Sequence, residues 1–186
     1  MSVLILPGYF GSGPAHWQSR WQALHPGLQR VEQRDWQQPD CAEWMAVLDA
    51  AVQKADGPVW LVAHSLGCLL VAHWAAQHDS GKVAGALLVA PPNPWRAGYP
   101  AACMSFATLE LAQLPFASVV VASRNDPYAA FDFADTAAAA WGARLVDAGE
   151  AGHINAESNL GDWPQGWALL EDLQQSASLD PLMDQR

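Results

Sequence analysis

Residues 58–78 read PVWLVAHSLGCLLVAHWAAQH, and the interpretation of this stretch decides the fold. Val59 to Ala63 is a short run of β-branched and apolar residues without alternation, the pattern of a strand buried on both faces in a parallel sheet. Leu66 to Gln77 is almost wholly apolar or small, contains no proline and is long enough for a helix in the core. Between them stands Ser65, with Ala63 two residues before it and Gly67 two after. A strand that enters a helix through small-x-Ser-x-Gly has the form of a nucleophile elbow. The small residues have a steric reason. A serine lifted clear of the sheet sits in a tight, strained turn, and flanking side chains would strike the adjacent strand and helix. The helix N-terminus below it favours developing negative charge. Ala63 stands where glycine is commoner, while Gly67 keeps the second small position. The plain alternative is a serine that only caps its helix.

Length and composition bound the remaining choices. With 186 residues, the chain suits one domain, residues 1–186, burying about 70% of its unfolded surface. Hydrophobic residues make up 51% and charged residues 15%, the balance of a folded protein rather than a disordered one. The net charge is −10, and Lys54 and Lys82 are its two lysines, so neither nucleic acid nor an anionic membrane is an expected partner. The opening MSVLILPGYF lacks a basic segment and its apolar run stops at Pro7, so no signal peptide is expected. No stretch reaches the length of a membrane span. Cys41, Cys68 and Cys103 are few, odd in number and widely spaced, which points to a reducing, cytoplasmic setting without disulfides. There is no CxxC, HExxH, P-loop or GxGxxG, so no metal or cofactor is expected. Cys68, on the apolar helix, reads as a buried inert thiol.

Along the chain, Val3 to Leu6 predicts a first, central strand, ended by Pro7-Gly8. The loop Gly8 to Pro14 holds three glycines in six residues, so its amides can approach a ligand closely. Helices are predicted over Ala15–Leu24, Asp40–Lys54, Phe131–Trp141 and Pro164–Ser178, the second with Trp44, Val47, Leu48 and Ala51 inward. Arg30–Gln33 predicts a short edge strand, and Val83–Ala90, Ser118–Ser123 and Arg144–Val146 predict three more strands. Pro91 to Leu114, rich in proline at its start, predicts a loop over the strand ends. Its Trp95, Tyr99 and Phe106 either line a pocket or only close the core. The tail Asp180–Arg186 reads as polar and frayed. Strand and helix alternate about six times, which predicts right-handed βαβ units and a parallel sheet covered on both faces.

A serine hydroxyl needs a base within hydrogen-bond reach, and the base needs an acid to fix its tautomer. On an elbow fold the order along the chain is serine, acid, histidine. His16, His25 and His64 precede Ser65, and at about 1.5 Å per residue the helix carries His73 and His78 away from it. His153 remains, in a turn directly after a strand. The acid falls among Asp79, Glu110, Asp126, Asp132, Asp135, Asp147 and Glu150. Asp126 stands just past the strong Ser118–Ser123 strand, where catalytic groups collect in parallel sheets. Its competing role is to cap a helix with Pro127 in the first position. Asp147, near the end of the last strand, is the main rival. The backbone amides of Tyr9 and Leu66 are the expected oxyanion donors.

Pro7-Gly8 with His16-Trp17, the elbow Ala63-His64-Ser65-Leu66-Gly67, Ser123-x-Asn125-Asp126-Pro127-Tyr128 and Gly152-His153-Ile154-Asn155 occur in that order over nearly the whole chain. Together they resemble the small α/β-hydrolases grouped with YdeN and human retinoblastoma-binding protein nine. The resemblance implies an α/β-hydrolase fold: a three-layer αβα sandwich on a mostly parallel sheet of about six strands, without a separate lid domain. It also implies a serine hydrolase with the triad Ser65, Asp126 and His153. The expected substrate is a small ester, thioester or activated amide, with short acyl groups favoured because the chain leaves little room for a lid. The human relative's LxCxE motif does not carry over, because Pro39 stands where leucine is needed before Cys41-Ala42-Glu43. The competing expectation is a non-catalytic protein-binding module with a vestigial elbow, suggested by the short cap region and ten tryptophans. A dehalogenase would want a carboxylate at the elbow.

Overall fold

A computed structural model describes residues 1–178, so the predicted tail Asp180–Arg186 lies outside the described residues. Six strands form one sheet: β1 (Ser2–Leu6), β2 (Leu28–Arg30), β3 (Val59–His64), β4 (Val83–Val89), β5 (Ala117–Ala122) and β6 (Arg144–Asp147). Their order is β2-β1-β3-β4-β5-β6, and every pairing is parallel. The helices are α1 (Trp17–Leu24), α2 (Cys41–Lys54), α3 (Leu66–Gln77), α4 (Phe131–Trp141) and α5 (Pro164–Ser178), with short 3-10 turns at Ala101–Phe106 and Ala156–Ser158. This is the expected arrangement of a parallel sheet between helices, and no separate lid is evident among the described residues. No helix among the described residues is long and apolar enough to cross a membrane.

Strand alternation divides the core in two. Leu4, Leu61, Leu88 and Val120 face α2, α3 and α4, where Trp44, Leu48, Leu69 and Trp141 complete the layer. Ile5, Val62, Leu87 and Val119 face α1 and α5, with Trp17, Trp21, Leu170 and Leu173 against them. Seven of the ten tryptophans are buried: Trp17, Trp21, Trp44, Trp60, Trp74, Trp141 and Trp163. They are therefore core, not a stock of surface aromatics for a partner.

Several local expectations need correction. β1 is not the centre of the sheet but one strand in from the β2 edge. β2 ends at Arg30, because it pairs with β1 only through Leu28, Gln29 and Arg30. Asp40 lies outside α2 as its N-cap, its carboxylate accepting from the Glu43 amide at 2.9 Å. The buried face of α2 is Cys41, Trp44, Met45, Leu48 and Val52, turned from the expected one, with Val47 and Ala51 only partly covered. The 91–114 aromatics divide three ways. Phe106 is fully buried core, Trp95 is 54% exposed, and Tyr99 lines a cavity.

The chain first adds β2 outside β1, then returns to place β3 on the other side of β1. A parallel sheet opens a crevice at the carboxyl ends where its order reverses in this way. The loop after β1 and the turn after β3 meet there.

Candidate active site

Ser65 forms that turn. Its backbone is left-handed, φ 54° and ψ −122°, and it enters α3 without any side-chain capping bond, so it is not a plain N-cap. Its amide donates to the Val89 carbonyl at 2.9 Å, which ties the turn to β4. A Cβ on Gly67 would lie 2.4 Å from the Leu6 carbonyl oxygen, so only glycine allows α3 to pass β1 this closely. Ala63 is fully buried between Leu6 and Leu88, and the sheet accommodates its methyl group.

The structure brings Ser65, His153 and Asp126 together. The Ser65 Oγ lies 2.8 Å from His153 Nε2. His153 Nδ1 faces both Asp126 oxygens, at 2.8 Å to Oδ2 and 3.0 Å to Oδ1. A carboxylate only accepts, so Nδ1 carries the proton and Nε2 is free to accept from the hydroxyl. The two side chains are almost wholly enclosed, His153 at 9% and Asp126 at 4% exposure. Asp126 caps no helix, since α4 begins at Phe131 after Ala130. Its Oδ1 instead accepts from the Tyr128 amide at 2.8 Å. The rival Asp147 is turned away, accepting from Arg124 Nε at 2.7 Å, and that guanidinium holds its carboxyl below the usual carboxylate range.

Short polar links fix the loops after β5 and β6 to one another. The Asn125 side-chain oxygen accepts from the Gly152 amide at 2.7 Å and from Ser123 Oγ at 2.8 Å. Ser123 Oγ in turn accepts from the Ala151 amide at 2.9 Å. On the far side, Trp17 Nε1 donates to the Ile154 carbonyl at 2.8 Å, so α1 also holds the histidine loop.

Two further histidines, eliminated as bases, line the same place. The carbonyl of His153 lies 2.9 Å from His64 Nε2, which must therefore donate, and the two rings are 4.9 Å apart. His16 packs edge-on against His64 at 4.6 Å and accepts from the Gln18 amide. Burial pushes the His64 pKa well down, and burial, followed by the positive Arg30, brings His16 to about 3. Both rings are neutral at ordinary pH. No sequence pattern points to these contacts, because they arise where β3, α1 and the His153 loop converge.

A cavity of about 410 Å³ opens over Ser65, and Tyr9, Leu66, Tyr99 and Tyr128 are among its walls. Tyr9 and Leu66 line the same cavity as Ser65, and nothing among the described residues accepts from either amide. Cys68 lies below, fully buried, its thiol pushed well up by burial. Among the described residues, no three His, Cys, Asp or Glu side chains are grouped to hold a metal ion.

Comparison with known proteins adds the following. The profile of a family described as Serine hydrolase matches residues 3–172. A YdeN-like hydrolase of Pectobacterium atrosepticum is 35% identical over 95% of this chain and 91% of its own, with a TM-score of 0.85. The ydeN gene product of B. subtilis is 21% identical over 94% and 98%, with a TM-score of 0.74. An esterase of Exiguobacterium antarcticum shares the fold at 14% identity, a TM-score of 0.68 and coverage of 96% and 92%. A search of curated proteins found no significant match.

Proposed function

The chain belongs to the serine hydrolase family, and we propose that it cleaves small esters, thioesters or activated amides through an acyl-enzyme on Ser65. The observation that carries this reading is the hydrogen bond from Ser65 Oγ to His153 Nε2, backed by Asp126 on Nδ1. His153 takes the hydroxyl proton as the oxygen attacks the carbonyl carbon, and then gives that proton to the leaving group. Water repeats the two steps in reverse and releases the acid. Asp126 holds the imidazole in its Nδ1–H form and stabilises the imidazolium. The Tyr9 and Leu66 amides receive the oxyanion, each worth about 3 kcal/mol when aligned with it.

The cavity volume of about 410 Å³ favours short acyl chains. Esterases and a type II thioesterase share the fold, which is compatible with ester and thioester substrates alike. Cys41, Cys68 and Cys103 are free and buried, which suits the cytoplasmic setting expected from the sequence. A series of p-nitrophenyl esters of rising acyl length tests the proposal. Turnover is expected to peak at short chains. A maximum on long chains contradicts the small site, and no turnover of any ester by folded protein contradicts the reaction.

A further inference from the structure

Six buried side-chain polar atoms have no hydrogen-bond partner among the described residues, and three of them belong to residues lining the cavity over Ser65: His16, Arg96 and Tyr99. Proteins rarely leave buried polar atoms unmatched, so three of them around one cavity are groups that a polar ligand can pair with. Of the three, only Arg96 brings a full charge. Burial keeps His16 neutral and raises the Tyr99 pKa above its ordinary value.

Among the described residues Arg96 shares with Arg144, Lys54 and Lys82 the lack of a carboxylate partner, and of these four it alone lines the cavity over Ser65. Arg20, Arg30, Arg34 and Arg124 each face a carboxylate. No carboxylate of the described residues lies within ion-pair distance of Arg96, although the net charge is −10. Glu157 shares the cavity lining but is exposed and makes no pair with it. The residue is half-buried, its buried Nε has no partner, and Nη1 reaches only the neighbouring Ala97 carbonyl at 3.3 Å. It lies over the Tyr128 ring at 5.4 Å, and that ring stands edge-on to His153 at 4.5 Å. Arg96 is thus one aromatic ring away from the base. The loop that carries it is tethered: the Asn93 amide donates to the Tyr128 carbonyl, and Trp95 Nε1 to the Ala107 carbonyl. A tethered cation whose guanidinium has a single backbone acceptor is suited to a planar anion.

We infer that Arg96 is a specificity-determining residue that binds a carboxylate on the substrate, so the preferred esters are anionic. This rests on the hydrolase reading above. The carboxylate belongs either to the acyl group, as in a hemi-ester of a dicarboxylic acid, or to the leaving group.

Two substrate pairs test this and separate the sources: p-nitrophenyl hemiglutarate against p-nitrophenyl valerate, and 4-carboxyphenyl butyrate against phenyl butyrate. In one pair or the other, kcat/KM favours the anionic ester. Arg96→Met lowers that ratio about tenfold or more, as expected for a charge-assisted hydrogen bond, and Arg96→Lys restores part of it. A wild-type preference for the neutral ester in both pairs overturns the inference while leaving the hydrolase reading intact, as does a ratio unchanged in Arg96→Met. Calorimetric binding of p-nitrophenyl hemiglutarate and of 4-carboxyphenyl butyrate to Ser65→Ala, with and without Arg96→Met, reads the same contact without turnover. At least one is expected to bind about tenfold more weakly, or worse, when Arg96 is replaced. Equal affinity for both ligands overturns the inference even if no ester is hydrolysed.

Discussion

Gly8 and Ser65 are packed so closely that a methyl group on Gly8 would lie 2.8 Å from the Ser65 Cβ and 3.0 Å from the His64 carbonyl oxygen. The loop after β1 therefore presses against the turn after β3, and Tyr9, the next residue, lines the cavity over Ser65. Gly8→Ala is expected to displace the elbow and lower kcat by up to about a hundredfold, since reacting groups tolerate little misplacement. Ala63→Gly, which relieves nothing and crowds nothing, is expected to keep most of the activity. Steady-state kinetics of both variants check this, and near-equal losses would contradict it.

Asp126→Asn keeps an acceptor for the Tyr128 amide but offers His153 an amide that no longer enforces the Nδ1–H tautomer. The expected loss in kcat is about ten-thousandfold, with folding retained by circular dichroism. Asp147→Asn, which breaks only the surface pair with Arg124, is expected to leave kcat within about twofold of the parent.

Asn125→Ala removes the acceptor of the Gly152 amide and of Ser123 Oγ. Losing such hydrogen bonds costs about 0.5–1.5 kcal/mol each at most, which a urea midpoint reads directly. The loop bearing His153 is also loosened, so kcat is expected to fall more than KM rises. A change confined to KM would show that Asn125 does not position the histidine.

The sheet, the elbow and the meeting of Ser65, Asp126 and His153 were legible because each rests on contiguous signals. A buried strand, a small-x-Ser-x-Gly turn and an apolar helix follow one another directly. The loops after β5 and β6 could be found by counting strand ends. His64, His16 and Arg96 were not legible, because their roles depend on which loops converge in space. His16 and His64 stand inside the motifs that carry the resemblance, but nothing local says what they touch, and an arginine in a proline-rich loop looks like any surface cation. The rotated face of α2 has a related cause. Its sequence is apolar enough at 45, 47, 51 and 52 that packing against α3, not periodicity, chooses among them.

Stability is expected to fall in acid. His16 and His64 hold folded-state pKa values below the ordinary 6.5, so the unfolded chain binds more protons once the pH drops below that value. Their contribution is fully present above about pH 6.5 and is lost progressively as the pH falls towards about 3 for His16. Urea midpoints should therefore be lower at about pH 5 than at about pH 7.5, and His64→Gln should flatten the dependence. An unchanged slope in that variant would show that His64 is not held neutral.

The central claim is that the Ser65 hydroxyl is activated by His153, and labelling with a fluorophosphonate probe followed by intact mass and peptide mapping tests it most directly. One adduct per chain, located on Ser65 and abolished in Ser65→Ala and His153→Ala, is the predicted result. Folded protein that stays unmodified, or that labels equally well without His153, would contradict it.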